Sequence, residues 1–479
     1  MYPDREKILS DLDVERIQAR RALRLATWWS VFFLITTDIL GPFNAPFAFA
    51  SVGFVPGALL YFFMFVAATW TGSILWHLFI KLDSDRFPVR TYSDLAERIF
   101  GSWARHACTV LQSIQLVINV GLICLSSGQS LSQVASAKLC FSVCVVIFVI
   151  VGLIIGQIRT LKDFTTLANG AVWLNLLIIF LSMGIMAHSA PNIASAKLAY
   201  GDDIASGPVR TAAFVSQPLF SKVNGIMNMV FAYGGAMIFP EFMAEMRRPM
   251  DFWKGMLAAQ TLIFCAYMMF GVYVYAFQGQ YTLAVSYQGI SNFGFQTACN
   301  VIGMISGIIA AGLYGNIGIK VAYINIVEDW FRGPPIVSKR GRFIWGGMVL
   351  LYWGLAFVIV SAIPSVGSVA GLVAAICIMQ FTYSFPPALM VGYQVIVDAM
   401  VGEEYSPETG VSGRKDTWRQ WSRWRRGLFG GMWHVKLIHF IVALASFAMA
   451  GLGMWGTGKS VQAALQNGAA TSFGCQAPV

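Results

Sequence analysis

Eleven apolar runs, each long enough to cross a lipid bilayer as a helix, limit what this chain can become. They fall at about residues 27–50, 54–80, 107–131, 138–157, 166–187, 224–245, 256–277, 297–321, 343–363, 367–397 and 435–456, and about 20 apolar residues suffice for one crossing. A water-soluble core cannot hide so much. Of the 479 residues 57% are hydrophobic and 12% charged, where soluble chains carry about 25% charge. A soluble enzyme, a nucleic-acid binder and a disordered chain are therefore excluded. An all-α polytopic membrane protein with 11 transmembrane helices is expected.

The basic residues test that count. If the chain starts on the cytosolic side and alternates, 26 of its 33 Lys and Arg fall in cytosolic segments and 5 in external ones, with Lys320 and Lys436 inside spans. Cytosolic loops are expected to carry this excess. Removing or adding a span in the middle would put several basic clusters on the wrong side. The last cytosolic loop interleaves Trp418, Trp421, Arg423, Trp424, Arg425, Arg426 and Trp433, which suits a helix lying among headgroups of an anionic inner leaflet. The eight Cys show no CxxC pair and no metal-type spacing with the five His. They read as buried thiols, and no metal site is expected.

Two spans carry helix-breaking chemistry. The first contains Gly41-Pro42-Phe43-Asn44-Ala45-Pro46, with two residues that lack an N–H. The sixth contains Phe231-Ala232-Tyr233-Gly234-Gly235, followed by Pro240. Non-helical backbone at membrane depth is tolerated only where it is buried or lines a cavity. The breaks lie five spans apart, the pattern of two inverted five-helix repeats with a substrate site at the broken helices. The expected division is a cytosolic tail (1–26), a first repeat (27–187), an external loop (188–223), a second repeat (224–397), a cytosolic loop (398–434), an eleventh helix (435–456) and an external tail (457–479).

At this point the residues resemble a known family. Ile35–Gly57, ITTDILGPFNAPFAFASVGFVPG, is similar to the opening span of the amino acid/auxin permease family. Arg90–Gly101, RTYSDLAERIFG, resembles its segment after the second span. Met229–Phe252, MVFAYGGAMIFPEFMAEMRRPMDF, resembles its sixth span, and Ser384–Met390, SFPPALM, its tenth. Within that family the chain looks closest to fungal neutral amino acid permeases. The first span departs from the family pattern, with Pro42-Phe43-Asn44 where Gly-x-Gly-x-Leu is usual. The resemblance implies a LeuT-type 5+5 inverted repeat plus one extra helix, and import of a small amino acid by a multi-pass permease. The plasma membrane is the expected location, with the vacuolar membrane second.

The chemistry of an amino acid then assigns roles. Free N–H groups at the start of a half-helix can hold a carboxylate, a role that falls to Gly41, Phe43 and Asn44. Carbonyls released at Phe231, Ala232 and Tyr233, beside Gly234, can accept the ammonium. Gly234 and Gly235 are expected to adopt backbone that other residues cannot. The amides Gln112, Gln115, Asn119, Asn228 and Asn316 reach either a pocket or a neighbouring helix. Ionisable groups inside spans are costly in lipid, so Asp38 and Lys320 stand out: either they pair as a proton-linked switch across the first and eighth spans, or they form a structural ion pair, or Lys320 snorkels to the inner surface. Glu241 either lines the inner gate or is a plain interfacial carboxylate. The proton is the expected coupling ion, with no other cofactor and no nucleic-acid partner. A nucleotide-driven pump and a membrane enzyme are not expected. A vacuolar exporter or antiporter of the same fold, and an amino acid sensor, are the alternative functions.

Overall fold

The computed structural model describes residues 24–475, apart from 25, 40, 85–86, 159–160, 202–206, 335, 337, 363–364, 404, 407–410, 414 and 467–472. The tail before Arg24 and the side chain of Asp38 lie outside the described residues. Among those described, nine helices are long and apolar enough to cross a membrane, or ten when one bent pair counts as a span. The fourth expected span is a helix of 15 residues, Phe141–Ile155. At 1.5 Å per residue it is about 22 Å long, short of a hydrocarbon core of about 30 Å, so it falls below the length criterion. Among the described residues, strand pairing is confined to a two-residue antiparallel ladder, Tyr405–Ser406 with Val411–Ser412, and isolated bridges Ala26–Met246 and Pro191–Ile290.

In chain order the helices are α1 (Trp28–Ile39), α2 (Ala45–Val52), α3 (Phe54–Leu82), α4 (Tyr92–Phe100), α5 (Ser102–Val134), α6 (Phe141–Ile155), α7 (Leu161–Ala187), α8 (Ile193–Tyr200), α9 (Leu219–Phe231), α10 (Phe239–Glu245), α11 (Phe252–Gln278), α12 (Phe293–Ala322), α13 (Lys339–Ser361), α14 (Val366–Val373), α15 (Phe385–Ala399), α16 (Trp421–Phe429) and α17 (Trp433–Gln466). Wider π-type turns extend α12 over Tyr323–Trp330 and join α14 to α15 over Ala374–Ser384. Such turns mark functional sites more often than ordinary helix does.

The helices pack in two groups. One joins α5, α6, α7, α12 and α13, with α12 laid along α5 and α7. The other joins α1, α2, α3, α9, α11, the 374–384 turns and α17. Close approach within the first group needs small residues: a Cβ on Gly152 of α6 would lie 2.1 Å from the Trp353 ring of α13. The turn from α2 into α3 needs glycine for a different reason. Gly53 has φ +101°, and a Cβ there would lie 2.5 Å from the Ala213 carbonyl, so both sterics and conformation exclude a side chain. Helix α4 starts in a reciprocal capping box between Thr91 and Asp94. Where the first span begins and the sixth ends, Ala26 N–H donates to Glu245 O and Arg247 N–H to Ala26 O, both at 3.0 Å.

Three expectations are corrected. Cys140 and Cys475 are not free thiols but form a disulfide joining the start of α6 to the segment after α17. Of the other six, five are buried and Cys265 is exposed. Gly234 and Gly235 do not have positive φ. What constrains Gly234 is space, because a Cβ there would lie 2.8 Å from Ile378 Cδ1. Finally, Gly453–Ser460 spells the glycine-rich phosphate-loop pattern, although no pump motif is expected. It lies inside continuous α17, where Thr457 Oγ1 donates to Gly453 O at 2.8 Å. Its N–H groups are engaged along the helix and cannot cradle phosphate.

Candidate functional site

Both breaks form as the sequence predicts, and they meet. Helix α1 ends at Ile39, and Gly41 leaves helical geometry at φ −151°, ψ 69°. Pro42 opens a 3₁₀ turn, Pro42–Asn44, that runs into α2. Pro46 lies in the first turn of α2, where a missing N–H costs nothing. The Tyr267 hydroxyl donates to Gly41 O at 3.1 Å, satisfying one carbonyl that the break sets free. In the sixth span, α9 closes when Ala232 and Tyr233 donate to Met229 O and Val230 O at 3.2 Å. The chain continues as a 3₁₀ segment, Gly234–Ile238, into α10, with a bend of 44°.

Between the breaks is a cavity of about 210 Å³. Gly41, Phe43, Asn44, Phe231 and Gly234 form part of its wall, so five of the seven expected substrate residues come together there. Ala232 and Tyr233 are not part of that wall. The Tyr233 ring is fully buried and its hydroxyl donates to Tyr61 O at 3.3 Å. Asn119 and Asn228 also line it. Asn228 Nδ2 also ties α9 to Gly367 O at 3.2 Å. Asn316 is helix glue, donating to Ile158 O at 2.6 Å. Gln112 and Gln115 turn toward the sixth span, reaching Glu241 Oε1 at 2.8 Å and Gly234 O at 3.4 Å.

The remaining wall comes from Tyr267, Tyr287, Tyr314, Asn175, Thr37 and Ile378, among others. Sequence reasoning missed these. Tyr287 lies in the connection between α11 and α12, which reads as an ordinary loop. It packs edge-on to Phe43 at 4.9 Å between ring centroids, and Phe270 also packs edge-on to Phe43, at 5.8 Å. Asn175 and Tyr314 had the one available signal, a polar group inside an apolar run. Among the described residues, no charged side chain forms the wall.

Lys320 is half-buried at the end of α12 and interacts electrostatically with Glu245 at the end of α10. In the 398–434 loop, two of the expected headgroup-facing arginines are used internally. Arg423 is buried and its Nη1 donates to Glu403 Oε1 at 2.6 Å. Arg426 grips Asp416 with two bonds, at 2.7 and 2.8 Å. The Arg426 guanidinium, helped by the Ser422 hydroxyl, holds the Asp416 carboxyl down to about 2. The Arg423 guanidinium likewise lowers Glu403. Trp421, Phe429 and Trp433 remain exposed on this folded loop.

These features define a polytopic helical membrane protein with a central cavity, free of charged side chains among the described residues, bounded by two interrupted helices. The chain belongs to the transmembrane amino acid transporter protein family, whose profile matches residues 24–394. It is 25% identical over 366 residues to the "N amino acid transport system protein" of Neurospora crassa, covering 75% of this chain and 74% of that one. It is 21% identical over 374 residues to a "transmembrane transporter" of Fusarium pseudograminearum, covering 76% and 75%. The family comprises membrane transporters, not enzymes.

Proposed function

We propose that this protein imports neutral aliphatic and aromatic amino acids by proton symport. In this reading, two inverted five-helix repeats of the LeuT type, with an eleventh helix beside them, alternate access to the cavity. The observation that carries it is a small cavity, with no charged side chain among the described lining residues and a broken helix on each of two sides. A zwitterion brings one charge of each sign, and a break supplies each with a partner. The N–H groups at Gly41, Phe43 and Asn44, at the positive end of the α2 half-helix, receive the carboxylate. The carbonyl at Phe231, the one of the three expected acceptors whose residue lines the cavity, receives the ammonium. The side chain is left with Phe43, Phe231, Tyr287 and Ile378, where a buried unpaired cation is costly.

The coupling role stays with Asp38 and Lys320, on spans that flank the first break and the cavity. Orientation has independent support in the Cys140–Cys475 disulfide. Such bonds persist in oxidising compartments, which favours an external or luminal face for the start of α6 and the segment after α17. With the cytosolic N-terminus this suits the plasma membrane, and the relative from Neurospora crassa supports an amino acid as substrate by its name. The deciding experiment is uptake of labelled leucine into proteoliposomes, with unlabelled competitors. Leucine and phenylalanine are expected to compete strongly, and lysine and arginine weakly. Equal competition by arginine would refute the neutral pocket.

A further inference from the structure

Outside the cavity wall, a pair of side chains with buried, unpartnered oxygens links α5 to the sixth span. Gln112 of α5 is fully buried. Its Nε2 donates to Glu241 Oε1 at 2.8 Å and to Met237 O at 3.2 Å, so both of its hydrogens are in use. Its own oxygen, Oε1, is buried without a partner, and so is Glu241 Oε2. An ionised carboxylate and an amide oxygen are both acceptors only. The pair therefore holds two buried acceptors and no donor for either. Among the buried side-chain atoms of the described residues without a partner, two are carboxyl oxygens, at Glu241 and Glu403, and Glu403 has Arg423 beside it; such groups need a reason.

The surrounding charges sharpen the point. The titratable groups facing Glu241 are Tyr92 and Asp94 of α4, with Cys108 of α5 beyond Tyr92. Glu245 follows one turn later on α10 and faces Lys320 rather than Glu241. Main-chain N–H groups of Tyr92 and of Glu241 itself lie near the carboxyl, yet Oε2 stays unsatisfied. Among the described residues, no Lys, Arg or His forms an ion pair with Glu241. A buried carboxylate with no cation takes up a proton in preference to bearing an uncompensated charge.

We propose that Glu241 and Gln112 form a proton-binding latch between the two helix groups. Glu241 belongs to the inner half of the broken sixth span, which packs on α3, and Gln112 to α5 of the opposite group. With a proton on Oε2, the carboxyl becomes a donor and Gln112 Oε1 is its waiting acceptor. The side chains are then joined by an N–H···O and an O–H···O bond. The proton comes from water on one side of the membrane and returns to water on the other. Its loss leaves acceptor facing acceptor, which frees α10 to move away from α5. This deepens the proton-coupled reading above and rests on it, adding a carboxyl separate from Asp38.

The test uses the full-length protein, purified and reconstituted, with labelled leucine as the transported probe. Three preparations are compared: wild type, Glu241→Gln and Gln112→Leu. Acid-gradient-driven uptake is read beside gradient-free leucine counterflow, and infrared difference spectra report protonated carboxyl groups. Wild type is expected to show a protonated-carboxyl band at neutral pH. That band should vanish in Glu241→Gln and shift in Gln112→Leu, which removes its hydrogen-bond partner. Glu241→Gln should keep counterflow and lose acceleration by the acid gradient. Absence of the band from wild type, or gradient-driven uptake persisting in Glu241→Gln, would overturn the latch. Should Glu241→Gln fail to fold, an unshifted band in Gln112→Leu overturns it instead. Failure of leucine counterflow in wild type would overturn the transport reading, and the infrared band would still decide whether Glu241 carries a proton.

Discussion

Replacing Gly234 with valine probes the site where the broken sixth span meets the wide turn of 374–384. A Cβ at Gly234 would lie 2.8, 3.3 and 3.4 Å from Cδ1, Cγ1 and Cγ2 of Ile378. Valine adds two further carbons at a place with no room. Its backbone is not the obstacle, because Gly234 does not have positive φ. Overpacking of this kind costs about 1–3 kcal/mol, equivalent to a shift of about 5- to 150-fold in the population of the conformation described here. Leucine uptake by Gly234→Val should fall within that range, while the amount of protein in the membrane stays near wild type. Shortening the neighbour should restore space, so Gly234→Val with Ile378→Ala should recover much of the lost rate. Normal uptake by the single variant would refute the steric reasoning. So would a double variant that inserts well yet remains as impaired as the single one.

Two further outcomes follow from the charged groups. Asp38→Asn and Lys320→Met should each impair acid-driven accumulation, by less than the loss of about 3–5 kcal/mol that breaking a fully buried pair brings, because Lys320 is half-buried and also faces Glu245. The double variant should regain folding without concentrative uptake, and undiminished accumulation in Asp38→Asn would remove that residue from the coupling. The 398–434 loop should be sensitive to acid. Asp416 is held down to about 2 by Arg426 and Ser422, against about 3.9 in an unfolded chain. Its contribution is therefore complete above about pH 4 and is lost as pH falls toward about 2. Hydrogen exchange along the loop should accelerate over that window in wild type and show no such step in Asp416→Asn.

The elements legible in the sequence were those with a local cause. Pro42 and Pro46 can open a helix but not continue one, and paired glycines weaken one, so both breaks appear where expected. The apolar runs mark the spans because lipid demands them. What escaped notice depends on contacts between distant segments. Tyr287 reaches Phe43 across more than two hundred residues, and the start of α6 meets Cys475 across 335. Nothing within either segment announces such a partner. The reason offered for Gly234 failed in the same way, since the constraint comes from Ile378 and not from its own φ. The Trp and Arg loop was half legible: its aromatic residues stay exposed, but two of its arginines found Glu403 and Asp416.

The polar contacts fall into two kinds, and the division follows the two helix groups. Asn316 to Ile158 O and Trp345 to Gly156 O stay within the group of α5, α6, α7, α12 and α13. They satisfy carbonyls past the end of α6 and hold that group together. Gln112 and Gln115 instead run from α5 to the second half of the broken span, at Glu241, Met237 O and Gly234 O. Interhelical hydrogen bonds of membrane proteins average only about 0.6 kcal/mol. Three of them together come to about 2 kcal/mol, the scale of coupling energies that ligands can overcome. A weak polar seam suits an interface that must open in every cycle, whereas an apolar seam of packed side chains would not respond to a proton. The seam is thus breakable at the one place where it contains an ionisable group.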